Sequence, residues 1–310
     1  GEVTWYTSLI QDQAARPLAA AFSKQYPQIK VNIVAGTVGD LTSKMLEEAK
    51  SGAVYADISH GGSSLGAMLA ADLIEPYSPL AAADFPAELR DADGKWTAQV
   101  VSYLVPAINT DLVSPEQEPQ SYDDLLKPEW KGKIVWPKSL SQGGPVGLIG
   151  ALLQQRGEKD GLEFLTQLSQ QGIVNFPANN RVVLDQVILG EFPIALTTFS
   201  HHSVISANEG APVKWLKLDP ALGTVDTTYI LKNAPHPNAA KVFMEYLLSD
   251  EGQSILAESG YIPANPAVKA THPELQAATG GFNAIVISPT DFIAHQAEWT
   301  AIYETLFAEK

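Results

Sequence analysis

Residues 3–7, Val-Thr-Trp-Tyr-Thr, form a β-branched and aromatic run that stops at Ser8, and behind it Ala15, Leu18 and Phe22 recur at helical spacing. The pair predicts a strand feeding a helix, with Pro17 acceptable only in a first turn after a short break. Residues 30–34 alternate as a second strand. Leu41, Met45 and Ala49 share one helical face that Gly52 ends, before a third strand at 56–59. The same reading predicts a strand over 98–108, helices over 145–155 and 179–190, and a strand over 193–198. Late in the chain Ala239, Val242, Phe243, Tyr246 and Leu247 make a helical stripe starting after Pro237, and Ser249-Asp250 opens a further helix ending at Gly260. Strands alternating with helices predict an α/β protein with parallel sheets covered on both faces.

At 310 residues the chain has room for two domains, yet no repeat or low-complexity linker divides it. A chain that crosses between lobes more than once fits that better than beads on a string. Charge narrows the partners: 20 basic against 35 acidic residues give a net charge of −15, which repels nucleic acid and anionic lipid. Cysteine is absent, so disulfides, zinc-thiolate sites, iron-sulfur clusters and thiol catalysis drop out together. No apolar run approaches the ~20 residues that span a bilayer, so membrane insertion is not expected. The start at Gly1, without an initiator Met or signal region, reads as a processed or trimmed form, with Gly1 a possible cloning remnant.

Three small polar turns precede helices: Tyr6-Thr7-Ser8, His60-Gly61-Gly62-Ser63-Ser64, and Ser139 to Pro145, which carries Ser141, Gly143 and Gly144. A helix start offers unpaired N–H groups and a positive dipole end, and serine adds a hydroxyl, so three that converge would cradle a phosphate or carboxylate. Serine as a plain cap and glycine as a plain turn is the commoner case at any one of them. Gly62-Ser63-Ser64-Leu65-Gly66 also matches the G-x-S-x-G nucleophile elbow, although the adjacent His-Gly-Gly is misplaced for an oxyanion loop. His201-His202 follow a strand in Thr197-Thr198-Phe199-Ser200, where adjacent side chains point apart and one ring can face a cleft. A zinc site there would need carboxylates from elsewhere, and no H-E-x-x-H is present. The six tryptophans and ten tyrosines read as packing.

Several segments together resemble the extracellular solute-binding proteins of ABC importers: Trp5-Tyr6-Thr7-Ser8, Phe22 to Pro27 leading into Ile29-Lys30-Val31, Ala56-Asp57-Ile58, Pro128 to Ile134, Gly190 to Leu196, and Ala234 to Lys241 with Leu248 to Gln253. The likeness runs through nearly the whole chain and is nearest the ferric-iron, phosphonate, thiamine and sugar-phosphate branch. It implies a two-lobed, type II periplasmic-binding-protein flytrap with a mainly parallel sheet in each lobe. A two-strand hinge is implied near 100–105 and 224–230. Lobe 1 would comprise 1–100 plus 228–275 and lobe 2 would comprise 101–227 plus 276–310, with the ligand cleft between them. The resemblance further implies an exported, periplasmic or extracellular, monomeric receptor without enzymatic activity or cofactor, working with a membrane permease.

In the iron-binding branch a pair of tyrosines follows the strand equivalent to 194–197, with His and Glu ligands from earlier loops. Those positions here read Ser200-His201, Ser8 and Gly62, so that metal site is largely absent. Ser, Thr, Gly amides and His are donors suited to a phosphoryl group, whereas a hard trivalent ion wants anionic oxygens. The expected ligand is therefore a small organic anion, a phosphate ester or phosphonate, held by Ser8, Gly62, Ser63, Ser64, Ser141, Gly143, Gly144, Thr198, Ser200, His201 or His202, and Asp226, with no metal. Asp226 would accept from sugar hydroxyls or pair with an ammonium, unless it merely caps a turn. Ferric iron on a non-tyrosine site is the alternative, and a serine hydrolase using the elbow a remote one.

Overall fold

The computed structural model describes residues 1–62 and 64–308. Strand β1 (Glu2–Thr7) leads through a π turn at Gln11–Ala15 into α1 (Arg16–Gln25), which places Pro17 in the first turn, where its missing N–H costs nothing. Next come β2 (Lys30–Ala35), α2 (Val38–Ser51), β3 (Ile58–His60), α3 (Leu65–Ala70), β4 (Ile74–Glu75) and the long β5 (Thr97–Asn109). Thr37 caps α2 by accepting from the Asp40 amide, and Gly52 ends it at φ 76°. The chain continues with β6 (Ile134–Pro137), α4 (Pro145–Arg156), α5 (Glu158–Ser169), β7 (Val174–Phe176), α6 (Asn180–Ile188), β8 (Ile194–Phe199) and α7 (Ser200–Asn208). It ends with β9 (Val213–Trp215), β10 (Ala221–Leu231), α8 (Pro237–Leu248), α9 (Asp250–Glu258), β11 (Ile262–Pro263), α10 (Ala277–Gly280), β12 (Ala284–Val286) and α11 (Pro289–Leu306).

These elements form two compact units, residues 1–101 with 225–276 and residues 102–224 with 277–310. Two of the three crossings fall inside the continuous strands β5 and β10. In the first unit β2, β1 and β3 run parallel, and β10 joins β3 antiparallel with Thr228 opposite His60. Trp5, Leu18, Phe22, Ile58, Met68 and Phe243 are buried around this sheet. The Phe243 ring meets Trp5 at 5.2 Å and Phe22 at 4.8 Å, both edge to face. Asp57, fully buried, accepts from the backbone amides of Thr4 and His236 and so fastens the start of α8 to the sheet.

In the second unit β8, β6 and β7 are parallel and β5 pairs antiparallel with β8. Within each unit the strand pairing is mainly parallel with an antiparallel addition, β10 against β3 in the first and β5 against β8 in the second. Leu104, Trp136, Ile149, Leu165, Leu222 and Trp299 belong to one core cluster there. Helices α4 and α11 approach so closely that a Cβ on Gly150 would lie 2.4 Å from the Trp299 ring.

Candidate functional site

In the first unit Thr7, His60 and Thr228 lie in register across β1, β3 and β10, so Ser8 and Gly62 sit just past the ends of β1 and β3, and Asp226 on β10 lies beside Gly62. Asp226 lies within β10 and not in a turn. Its partly buried carboxylate accepts from the Gly62 amide, and a Cβ on Gly62 would come within 2.6 Å of its Oδ1. Burial pushes this carboxyl up to about 6, a shift the Gly62 amide only partly opposes. Ser8 places its hydroxyl 3.4 Å from Nδ1 of His60. The buried His60 ring leaves Nε2 without a hydrogen-bond partner, and burial lowers its pKa to about 4, so it is neutral.

Ser64 takes a different place from the one its sequence suggests. It is buried, and its hydroxyl meets Tyr229 Oη at 2.9 Å and the Gly61 carbonyl at 3.3 Å. Those bonds use it up within the core and leave it facing no imidazole, so it has neither the access of a ligand donor nor the base of an elbow nucleophile. Ser63 lies outside the described residues.

In the second unit the helices α4, α6 and α7 each start just after the carboxyl end of a parallel strand, β6, β7 and β8 respectively. This is where open α/β sheets bind ligands. Two of the starts lack a side-chain cap: Gly144 precedes α4 and Phe199 precedes α7. Their first amides are therefore open to an anion. Asn179 caps α6 by accepting from the Val182 amide. The next residue, Asn180, donates to the Gly143 carbonyl at 2.9 Å and to the Thr197 carbonyl at 2.7 Å, fastening the loop before α4 to the end of β8. Ser141 is exposed, with its hydroxyl 2.8 Å from that of Ser139.

The stretch after β8 is helical from Ser200. His201 and His202 occupy the first turn of α7, and because a helix rotates successive side chains by about 100°, not 180°, their rings do not point apart. They meet edge to face at 4.4 Å, and both pack on Phe199. Burial first, then the neighbouring ring, takes His201 down to about 4. Burial and the Arg181 guanidinium lower His202, which makes both rings neutral at ordinary pH. Thr198 is fully buried and donates to the Val105 carbonyl, a bond internal to the sheet that withdraws it from the ligand set. The hydroxyls of Thr197, Ser200 and Ser203 and Nδ1 of His202 are buried without partners, so this junction holds unspent polar capacity.

Asn180 and Arg181 escaped the sequence reading. An Asn-Asn pair before an apolar stripe looks like an ordinary cap, and the outward bonds of Asn180 are set by strands far away in sequence. Arg181 is held by Asp185 at 2.7 Å and donates to Ser206 at 2.9 Å. Among the described residues no three His, Asp or Glu gather within either unit as a metal site. The three tyrosines of the second unit, Tyr103, Tyr122 and Tyr303, are 7%, 1% and 3% exposed.

Residues 17–283 match the family described as bacterial extracellular solute-binding protein. The Fe(3+)-binding periplasmic protein of Serratia marcescens is 26% identical over 237 residues, 74% of this chain and 68% of that one. Among solved structures, the Trichodesmium protein IdiA (FutA) in complex with iron and citrate superposes with a TM-score of 0.83 at 21% identity over the full length of both chains. The periplasmic binding protein AfuA from Actinobacillus pleuropneumoniae, with fructose-6-phosphate bound, has a TM-score of 0.74 at 19% identity over 100% and 99% of the two chains. The fold is that of the two-lobed periplasmic binding proteins.

Proposed function

The chain belongs to the bacterial extracellular solute-binding proteins, and on that premise we propose that it is the periplasmic receptor of an ABC importer that captures a small organic anion, a phosphate ester or phosphonate, and hands it to the membrane permease. The observation that carries the choice of solute is the donor set at the helix starts of the second unit. The α4 and α7 amides are uncapped, and the donor side chains beside them are Ser141 and two neutral histidines, both N–H groups of the Asn180 amide being spent on the Gly143 and Thr197 carbonyls. Asp185, one turn into α6, is tied to Arg181. Such a face supplies neutral hydrogen-bond donors in quantity, which suits phosphoryl oxygens. In the first unit Asp226 supplies the opposite chemistry, an acceptor for hydroxyls or an ammonium.

Ferric iron is the second reading, and the names of relatives such as the Serratia marcescens protein favour it. Against it stand the buried tyrosines of the second unit and the lack of anionic oxygens at its helix starts. Thermal unfolding with a panel of sugar phosphates, aminoethylphosphonate, inorganic phosphate and ferric citrate separates the two. A ligand that binds only the folded protein raises stability by RT ln(1 + [L]/Kd), so the phosphorylated compounds should raise Tm and ferric citrate should not. A Tm rise with ferric citrate alone would establish the iron reading instead, and a visible phenolate-to-iron absorption band with it would add a tyrosine to the ligand set.

A further inference from the structure

Away from these strand ends, the first unit contains a cavity of about 300 Å3 between the 3-10 turns at Leu80–Ala82 and Ala87–Leu89 and the entrance to β5. Its wall is apolar at Pro79, Ala82 and Ala87 and carries Arg90, Asp91 and Thr97. The protein has four arginines, of which Arg16, Arg156 and Arg181 each pair with an aspartate. Arg90 alone has no ion pair or side-chain hydrogen bond among the described residues, in a chain with 35 acids to choose from. Arg90 is an exposed residue at the rim of this cavity, and a guanidinium without a partner there offers a fork to a planar carboxylate. The methyl and ring carbons of Pro79, Ala82 and Ala87 in the same lining are suited to a short hydrocarbon stem.

Asp91 sharpens the choice. One of its carboxylate oxygens accepts from the Lys95 amide at 2.9 Å, and the negative charge stays beside the cavity, where it tolerates a monoanion paired with Arg90 but repels a dianion. We propose that this cavity is a second small-molecule site, separate from the capture site, for a monocarboxylate with a short apolar chain of roughly three to six carbons.

Butyrate titrated into isotopically labelled protein, followed by amide chemical shifts, tests it. Saturable shifts confined to residues 78–97 are expected, with affinity at least about tenfold weaker in Arg90→Gln. They should vanish in Ala87→Trp, which fills the cavity from an exposed position on a short turn. Both variants should keep the wild-type Tm, and Ser141→Ala should leave the butyrate response unchanged. Absence of saturable shifts in the wild type overturns the proposal. So does unchanged affinity in folded Arg90→Gln, or an equal response to chloride and inorganic phosphate, which would mark an indiscriminate anion surface. A failed phosphate-ester titration leaves this experiment intact, because its residues and its probe are different.

Discussion

Asp226 and His60 pull the stability of the first unit in opposite directions as pH changes. Burial raises Asp226 from 3.8 to about 6, so its contribution is fully present below pH 3.8 and is lost as pH rises through 6. The cost of holding it ionised is of the order of 3 kcal/mol. His60 is depressed from 6.5 to about 4, so its contribution is present above pH 6.5 and is lost as pH falls through 4. Urea unfolding across pH 4–7 should therefore show Asp226→Asn gaining on the wild type as pH rises, whereas His60→Asn should flatten the acid limb. Parallel pH profiles for wild type and both variants would show that neither group titrates in this window. In ligand binding, Asp226→Asn should weaken aminoethylphosphonate more than a neutral sugar phosphate, since only the former loses a counter-charge. Calorimetry with both ligands reads that ratio directly.

At the level of elements, Asn180 is the residue whose loss should travel furthest. Asn180→Ala removes two bonds to buried carbonyls and frees the loop before α4 from the end of β8, at about 1–3 kcal/mol in stability. Every phosphorylated ligand should weaken by a similar factor, because the α4 amides lose their fixed position. Gly150→Ala is the contrast: the methyl collides with Trp299 between α4 and α11, so it should cost about 1–3 kcal/mol of stability in denaturation while ligand affinity in the folded fraction stays put. The helices with start and stop signals, α2 with Thr37 and Gly52 and α8 opening at Pro237, were legible from sequence within a residue or two. Helix α7 was not, since Ser200-His201-His202-Ser203 has no apolar stripe and the helix is covered by strands β9 and β8. Helix α11 was missed although its buried Phe292, Trp299 and Tyr303 fall at i, i+7 and i+11 on one face, because the exposed Ile293 and the alanines between blur that stripe. Ser64 and Thr198 misled because a hydroxyl near a strand end reads the same whether it faces solvent or a neighbouring carbonyl.

For the molecule as a whole, a net charge of −15 acts on ligand capture before any contact is made. An anionic cargo approaches against the mean field, so its association rate should rise as salt screens that repulsion, whereas a cationic cargo should slow. Stopped-flow capture at two ionic strengths thus reports the sign of the cargo's charge independently of its identity. The threefold passage of the chain between its units, at residues 101, 224 and 276, reaches back to the moment of synthesis. When the first hundred residues leave the ribosome, β3 has β1 on one side but still lacks β10 on the other, and Asp57 lacks the His236 amide, both of which are encoded more than a hundred residues later. The second unit in turn waits for Trp299 and the rest of α11 near the carboxyl terminus. A nascent chain halted at residue 224 should therefore be cut freely by protease along its length, and folding should begin only once translation is almost complete.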